Sequence, residues 1–227
     1  MNLESLINQL DIHPIIKPEI PNDAWHVFDF TKNNTALQQV DLKEQGSFEN
    51  YINQTLAQGK QKGGAGGYLE ERVLYQRSAH FDGEEEARSL HLGIDLWLPA
   101  DTSIFAPING IIHSYANNHG FGNYGPTLII EHDLKGIRFY TLYGHLSLSS
   151  FYDWKVGAGI KGGQQIASLG AWPENGNWPP HLHFQVMTDM LDWVGDFPGV
   201  AAPSEKEYWS EICLDPSAFL NIESLRK

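Results

Sequence analysis

An all-β core of antiparallel strands, with short helical additions toward both ends, is the fold class this sequence predicts. Three observations support it. Strand-like apolar runs of four to eight residues recur from about residue 90 onward. Glycine, proline and asparagine turns separate them, with no intervening helices that could serve as crossovers. The 227 residues, 41% hydrophobic with seven tryptophans, are enough to bury one good core.

The elements follow in order. Residues 2–11 place apolar side chains at helical spacing and predict a short helix, and residues 13–21 hold three prolines and read as extended connection. Trp25 to Phe30 reads as a strand. Asn33 or Asn34 is placed to cap a helical stretch, and a second helix is expected over residues 49–57. Residues 59–67 contain five glycines and predict a flexible join, so 1–60 is read as an accessory segment and 61–67 as linker. Strands are then expected at 103–105, 110–115, 127–132, 137–143, 165–169 and 181–187, within a main domain of residues 68–190. The stretch 118–125 is a loop followed at once by Pro126. Residues 191–227 form a C-terminal extension of ordered surface cover.

The chemistry is concentrated in three motifs: His91-Leu-Gly-Ile-Asp95, Tyr143-Gly-His145-Leu146 and His181-Leu-His183. Four histidines and a carboxylate are the residue types that hold catalytic zinc, which typically takes three protein ligands and keeps a fourth position for water. In a strand, residues two apart share a face, so His181, His183, Gln185 and Met187 point one way and Leu182, Phe184 and Val186 the other. His91 and Asp95, four apart, share a side in either a helix or a strand. Gly93 between them and Pro99 soon after argue for an extended segment. Spacing alone leaves open which histidine of His181-Leu-His183 takes the metal.

With its HxxxD, a later GHL and a final HLHF, the chain resembles the M23 zinc metallopeptidases, the lysostaphin/LytM-type peptidoglycan endopeptidases. Supporting stretches agree: Pro99-Ala-Asp-Thr102, Ala106-Pro-Ile-Asn-Gly110, Leu128-Ile-Ile-Glu-His132, and the glycine-rich turn and strand from Gly157 to Leu169. The resemblance spans roughly residues 68–190. It implies a two-sheet β fold with a zinc ion, one per chain, at the floor of a narrow groove. It assigns the metal to His91, Asp95 and His183, and the catalytic pair to His145 and His181. The implied activity is hydrolysis of a peptide amide by metal-activated water, in a peptidoglycan-type or glycine-containing peptide. Two other readings use the same scaffold: a zinc hydrolase of a small amide, and a catalytically silent module that binds a partner. Silent modules typically lack ligands, whereas here all are present.

The remaining histidines, His13, His26, His80, His113, His119 and His132, read as structural; His132, beside Glu131, has a rival reading as a group orienting a ligand. Trp172, Trp178 and the Pro179-Pro180 pair read as setting loop shape, with a substrate-facing wall as the rival, and Tyr143 divides between core packing and groove lining. A net charge of −13 argues against nucleic-acid binding and against docking on anionic lipid. The lone Cys213 excludes an intramolecular disulfide. Neither a leader pattern nor a run of ~18 apolar residues is visible, so no membrane insertion is expected and the expected setting is the cytoplasm. The expected partner is the peptide or small-amide substrate. Residues 1–60 are expected to pack around the core or to occlude its groove.

Overall fold

A computed structural model describes residues 3–7, 9–42, 44, 46–77, 86–220 and 222–225. The all-β class holds. One sheet of nine strands dominates, joined by two small two-stranded sheets and a few short helices. No helix of the described residues is long and apolar enough to cross a membrane.

The large sheet is built around β11, His181–Met187. On one side of it lies β4, Ile94–Trp97, paired antiparallel so that His183 faces Asp95 and His181 faces Trp97. On the other side lies β8, Ile137–Gly144, with His183 opposite Gly144. The sheet continues from β8 through β7 (Gly125–Leu134) and β6 (Gly110–Asn118) to β9 (Gly159–Ile160). From β4 it continues the other way through β2 (Gly63–Gly66) to β1 (Trp25–Phe28), the latter two being parallel. A short β13, Cys213–Leu214, pairs with the far end of β11. The small sheets pair β10 (Gln165–Ser168) with β5 (Ser103–Phe105), and β12 (Val200–Ala201) with β3 (Leu90–His91).

Alternation along β11 sorts its side chains as period two requires. Leu182, Phe184 and Val186 enter the main apolar core with Ile94, Leu128, Ile130 and Tyr143. The opposite face carries the histidines and, at its far end, Met187, which packs in a separate cluster with Leu142 and Phe197. Tyr143 therefore belongs to the core, where its hydroxyl accepts from Thr141 at 3.1 Å.

The glycine-rich join is not a linker. Gly63–Gly66 is a fully buried strand inside the large sheet. The glycines are there because aromatic rings of β1 lie on them: a Cβ on Gly64 would come within 2.3 Å of the Phe28 ring. On Gly66 it would meet the Arg72 guanidinium at 2.7 Å and the Phe30 ring at 3.2 Å. The accessory segment is thus continuous with the sheet that carries the main domain.

The N-terminal elements partly follow expectation. The first helix, α1, is Leu3–Ile7, shorter than residues 2–11, of which 2 and 8 lie outside the described residues. Neither Asn33 nor Asn34 is a helix N-cap: only a 3-10 turn, Leu37–Gln39, follows, and its N-cap is Ala36, although Asn34 Oδ1 accepts from the backbone of Ala36 and Leu37 at 3.1 Å each. Helix α2, Ser47–Gly59, presses Phe48 and Ile52 into a second core with Phe28, Phe30 and Trp97. Phe30 and Phe48 meet Trp97 edge-on at 5.8 and 5.5 Å between ring centroids. Such aromatic pairs contribute about 0.5–1.5 kcal/mol each beyond area burial. The C-terminal extension adds a third helix, α3, Lys206–Ile212.

Candidate metal centre

Three side chains converge where β3, β4 and β11 meet. His91 Nε2 stands 3.2 Å from Asp95 Oδ1 and 3.0 Å from His183 Nδ1, and His183 Nδ1 is 3.1 Å from the same carboxylate oxygen. All three residues are buried, with 1–3% exposure. β3 and β4 are extended, as Gly93 and Pro99 predicted. The glycine has a spatial reason: a Cβ at Gly93 would lie 2.7 Å from the Phe184 carbonyl and 2.8 Å from the His183 ring.

The hydrogen bonds on the far side of each ring set its tautomer. His91 Nδ1 donates to the Gly67 carbonyl at 3.0 Å, leaving Nε2 as a lone pair. His183 Nε2 donates to Gln185 Oε1 at 2.9 Å, leaving Nδ1 as a lone pair. Gln185 is itself oriented, its amide nitrogen donating to the Pro198 carbonyl at 3.1 Å and to Cys213 Sγ at 3.2 Å. With the rings in these tautomers, two nitrogen lone pairs and a carboxylate oxygen face one another at about hydrogen-bond distance. A proton is disfavoured there, because burial, and next the nearby Arg72, lowers His91 to a pKa of about 4. Burial opposes ionisation of Asp95, yet His91, Arg72 and His181 together hold it well below the usual carboxylate range.

Such a converging set of acceptors fits a divalent cation. Zinc–ligand bonds of about 2.0–2.2 Å in a tetrahedron place ligand atoms roughly 3.3–3.6 Å apart, a few tenths of an ångström beyond the separations seen here. The outward hydrogen bonds of both rings are also those that fix metal-binding histidines. The donor set of two imidazole nitrogens and one carboxylate oxygen is that of a catalytic zinc site with a position to spare.

His145 and His181 stand beside this triangle. Their ring centroids are 4.1 Å apart. His145 Nδ1 donates to the Asn175 carbonyl and His181 Nδ1 to the Pro179 carbonyl, each at 2.8 Å, so both Nε2 atoms keep a lone pair. His181 Nε2 reaches within 3.9 Å of Asp95 Oδ1. Trp97 stacks on the back of His181 with centroids 4.0 Å apart, so the aromatic cluster that includes α2 braces this ring. His145 has a left-handed backbone, φ 62°, just past the end of β8. A non-glycine residue held there is uncommon and costs energy that surrounding bonds must offset. They do: its N–H donates to the Tyr124 carbonyl and its carbonyl accepts from Gly170, both at 2.9 Å. Burial lowers both rings, His181 to about 4 and His145 well below the usual value, the latter also through His181. Both are neutral at pH 7.

All of the expected site residues, His91, Asp95, His145, His181 and His183, come together. The site opens on a cavity of about 180 Å³ walled by Leu74, Tyr75, Tyr124, Trp178, Phe197 and Val200. Trp178 thus lines the cavity, the rival of its two readings; Trp172 is half exposed and does not line it. Among the described residues, none of residues 1–60 lines the cavity, so that segment buttresses the site from behind. His132 sits in the core, bonded to the Asn109 carbonyl and Thr141 Oγ1, and neither ring nitrogen bonds to His91, Asp95 or His183. His80 lies outside the described residues.

Sequence reasoning missed Arg72, Gly67 and Tyr124. Arg72 Nη1 donates to Asp95 Oδ2 at 2.5 Å, and the Tyr124 hydroxyl lies 3.3 Å from His183 Nε2. Gln185 was visible as co-facial with the histidines but carried no role. No signal in the text marks Arg72 or Gly67, which reach the site from the turn after β2.

Residues 89–193 match the profile described as Peptidase family M23. Among solved structures, the chain is similar to a zinc-containing peptidase from Vibrio cholerae, at 30% identity over 43% of this chain and 27% of that one, TM-score 0.35. It is also similar to the catalytic domain of the antimicrobial peptidase lysostaphin from Staphylococcus simulans, at 27% identity over 54% and 80%, TM-score 0.36. A mutant catalytic domain of the prophage-encoded M23 protein EnpA from Enterococcus faecalis matches at 20% identity over 54% and 92%, TM-score 0.36. The chain spans about a quarter of the length of the Vibrio protein. No curated protein matches it. The stretch that holds all three motifs, residues 89–193, is thus the part of the chain that matches peptidase family M23.

Proposed function

We propose that this protein is a zinc-dependent metallopeptidase that hydrolyses a peptide amide, with His91, Asp95 and His183 holding one zinc ion per chain. The observation that carries the reading is the convergence of His91 Nε2, His183 Nδ1 and Asp95 Oδ1, all within 3.2 Å of one another. A bound zinc ion supplies Lewis acidity, polarising the amide carbonyl and acidifying a water molecule near neutrality.

The chain's own residues supply the rest. One of His145 and His181, both neutral and with Nε2 lone pairs, takes up the proton released by the attacking water. Once protonated, either can donate to the developing oxyanion or to the departing amine. Their Nδ1 bonds to the Asn175 and Pro179 carbonyls keep the lone pairs aimed while the proton moves. Trp178, Tyr75 and Phe197 exclude bulk water around them.

The substrate class, a peptidoglycan-type or glycine-containing peptide, follows from the resemblance of the motifs to the M23 peptidases, and the cavity of about 180 Å³ beside the histidines is where it would sit. The test is a hydrolysis screen of the zinc-loaded protein against muropeptides, oligoglycine peptides and small amides. Cleavage of either peptide class supports the reading. Turnover of small amides alone transfers the site to the small-amide alternative, and no hydrolysis by a zinc-loaded protein contradicts the catalytic claim.

A further inference from the structure

We propose that Arg72 is a positioning residue of this metal centre: it occupies one carboxylate oxygen of Asp95 so that Asp95 offers the cation only the other. The inference rests on the function proposed above. The two oxygens of Asp95 are divided between different tasks. Oδ2 accepts from Arg72 Nη1 at 2.5 Å, while Oδ1 faces His91 and His183 at 3.2 and 3.1 Å.

Arg72 is held with little freedom. Its side chain is fully buried, Nε donates to Glu70 Oε2 at 2.8 Å, and the guanidinium lies over the Phe30 ring at 5.2 Å. Glu70 is fixed in turn, accepting from Phe30 N–H at 3.1 Å. The Arg72 backbone N–H donates to the Ser89 carbonyl at 2.8 Å, tying the segment beside β3. Glu70 supplies the buried guanidinium with one counter-charge, and Asp95 is the second carboxylate it holds. The fork geometry of arginine, which a lysine lacks, explains why one side chain can hold Glu70 and Asp95 at once.

The consequence is chemical. A carboxylate can bind a metal through one oxygen or through both. Were both oxygens of Asp95 free, the second would compete for the position that a catalytic site reserves for water or substrate. Arg72 removes that competitor. Arg72 and Gly67, whose carbonyl fixes His91, both lie upstream of the family match at residues 89–193. This chain's metal centre is therefore completed by its own preceding segment.

The experiment loads the full chain with cobalt(II) in place of zinc and compares the parent with Arg72→Met and Arg72→Lys. The visible absorption of cobalt reports coordination number. The expected result is one cobalt per chain in Arg72→Met with a spectrum shifted toward higher coordination, and peptide hydrolysis by the zinc form reduced about 10–100-fold. Arg72→Lys should restore part of both. A parental spectrum in Arg72→Met overturns the proposal, as does parental turnover. Should Arg72→Met not fold, Arg72→Gln decides: its amide ends about where Arg72 Nε lies, short of Asp95 Oδ2, so a spectrum identical to the parent's overturns the proposal as well. A parent that binds no cobalt defeats the proposed function itself, an outcome distinct from an unchanged variant.

Discussion

His145 and His181 lie ring beside ring, centroids 4.1 Å apart and inclined by 35°, each with its Nδ1 spent on a backbone carbonyl. Two neutral imidazoles so placed present two lone pairs to the same small volume, and neither is among the three converging acceptors. Under the proposed function, proton handling and metal holding are thereby divided between different side chains. Replacing His145 with Ala should lower turnover about 10²–10⁴-fold, the usual worth of a positioned acid–base group. Zinc content should be unchanged. Loss of zinc from His145→Ala would place this residue among the ligands instead.

Gln185 separates ligand orientation from ligand identity. Its Oε1 accepts from His183 Nε2 at 2.9 Å and so presents Nδ1 to the site. Gln185→Leu keeps the volume but removes the acceptor, and zinc affinity should fall about 10–100-fold. Competition with a chelator measures this; an unchanged dissociation constant would show that the Tyr124 hydroxyl or packing alone orients the ring.

Gly93 tests the close approach of strands beneath the site. A methyl there would press on the Phe184 carbonyl and on the His183 ring, at 2.7 and 2.8 Å. Gly93→Ala should cost about 1–3 kcal/mol, as overpacking does, and weaken zinc binding at the same time. Thermal unfolding with and without zinc reads both effects, and a variant as stable and as tight-binding as the parent would refute the contact.

Acid should destabilise the metal-free protein. Burial lowers His132 from its ordinary value near 6.5 to about 4, and His91 and His181 shift the same way. Between those two values the unfolded chain binds a proton that the folded chain refuses. Stability is therefore fully present above pH 6.5 and is lost as pH falls toward 4. His132 makes no bond to His91, Asp95 or His183, so His132→Gln isolates one such contribution. At pH 5 it should shrink the parent's acid sensitivity by on the order of 2 kcal/mol, seen as a flatter dependence of denaturant midpoint on pH. An unaltered slope would contradict a buried, neutral His132.

The strands of the main domain and the site histidines were legible because period-two alternation and short motifs are local. Residues 181–187 state their own two faces, and Gln185 could have been given its role from the same alternation. The glycine run at 63–66 misled because its cause is non-local: rings of Phe28 and Phe30, more than thirty residues upstream, occupy the space that side chains would fill. Arg72 was invisible for a similar reason. Its partner Asp95 is 23 residues away, across a turn whose shape no local pattern fixes.

The most direct measurement is the zinc stoichiometry of the purified chain beside its Asp95→Ala variant. Asp95 Oδ1 is the acceptor that both His91 and His183 face, at 3.2 and 3.1 Å, so its removal should empty the site. One zinc per parent chain, and none in a folded Asp95→Ala protein, is the predicted result. A parent that binds no zinc, or an Asp95→Ala variant that keeps its full complement, would contradict the metal centre on which the proposed peptidase rests.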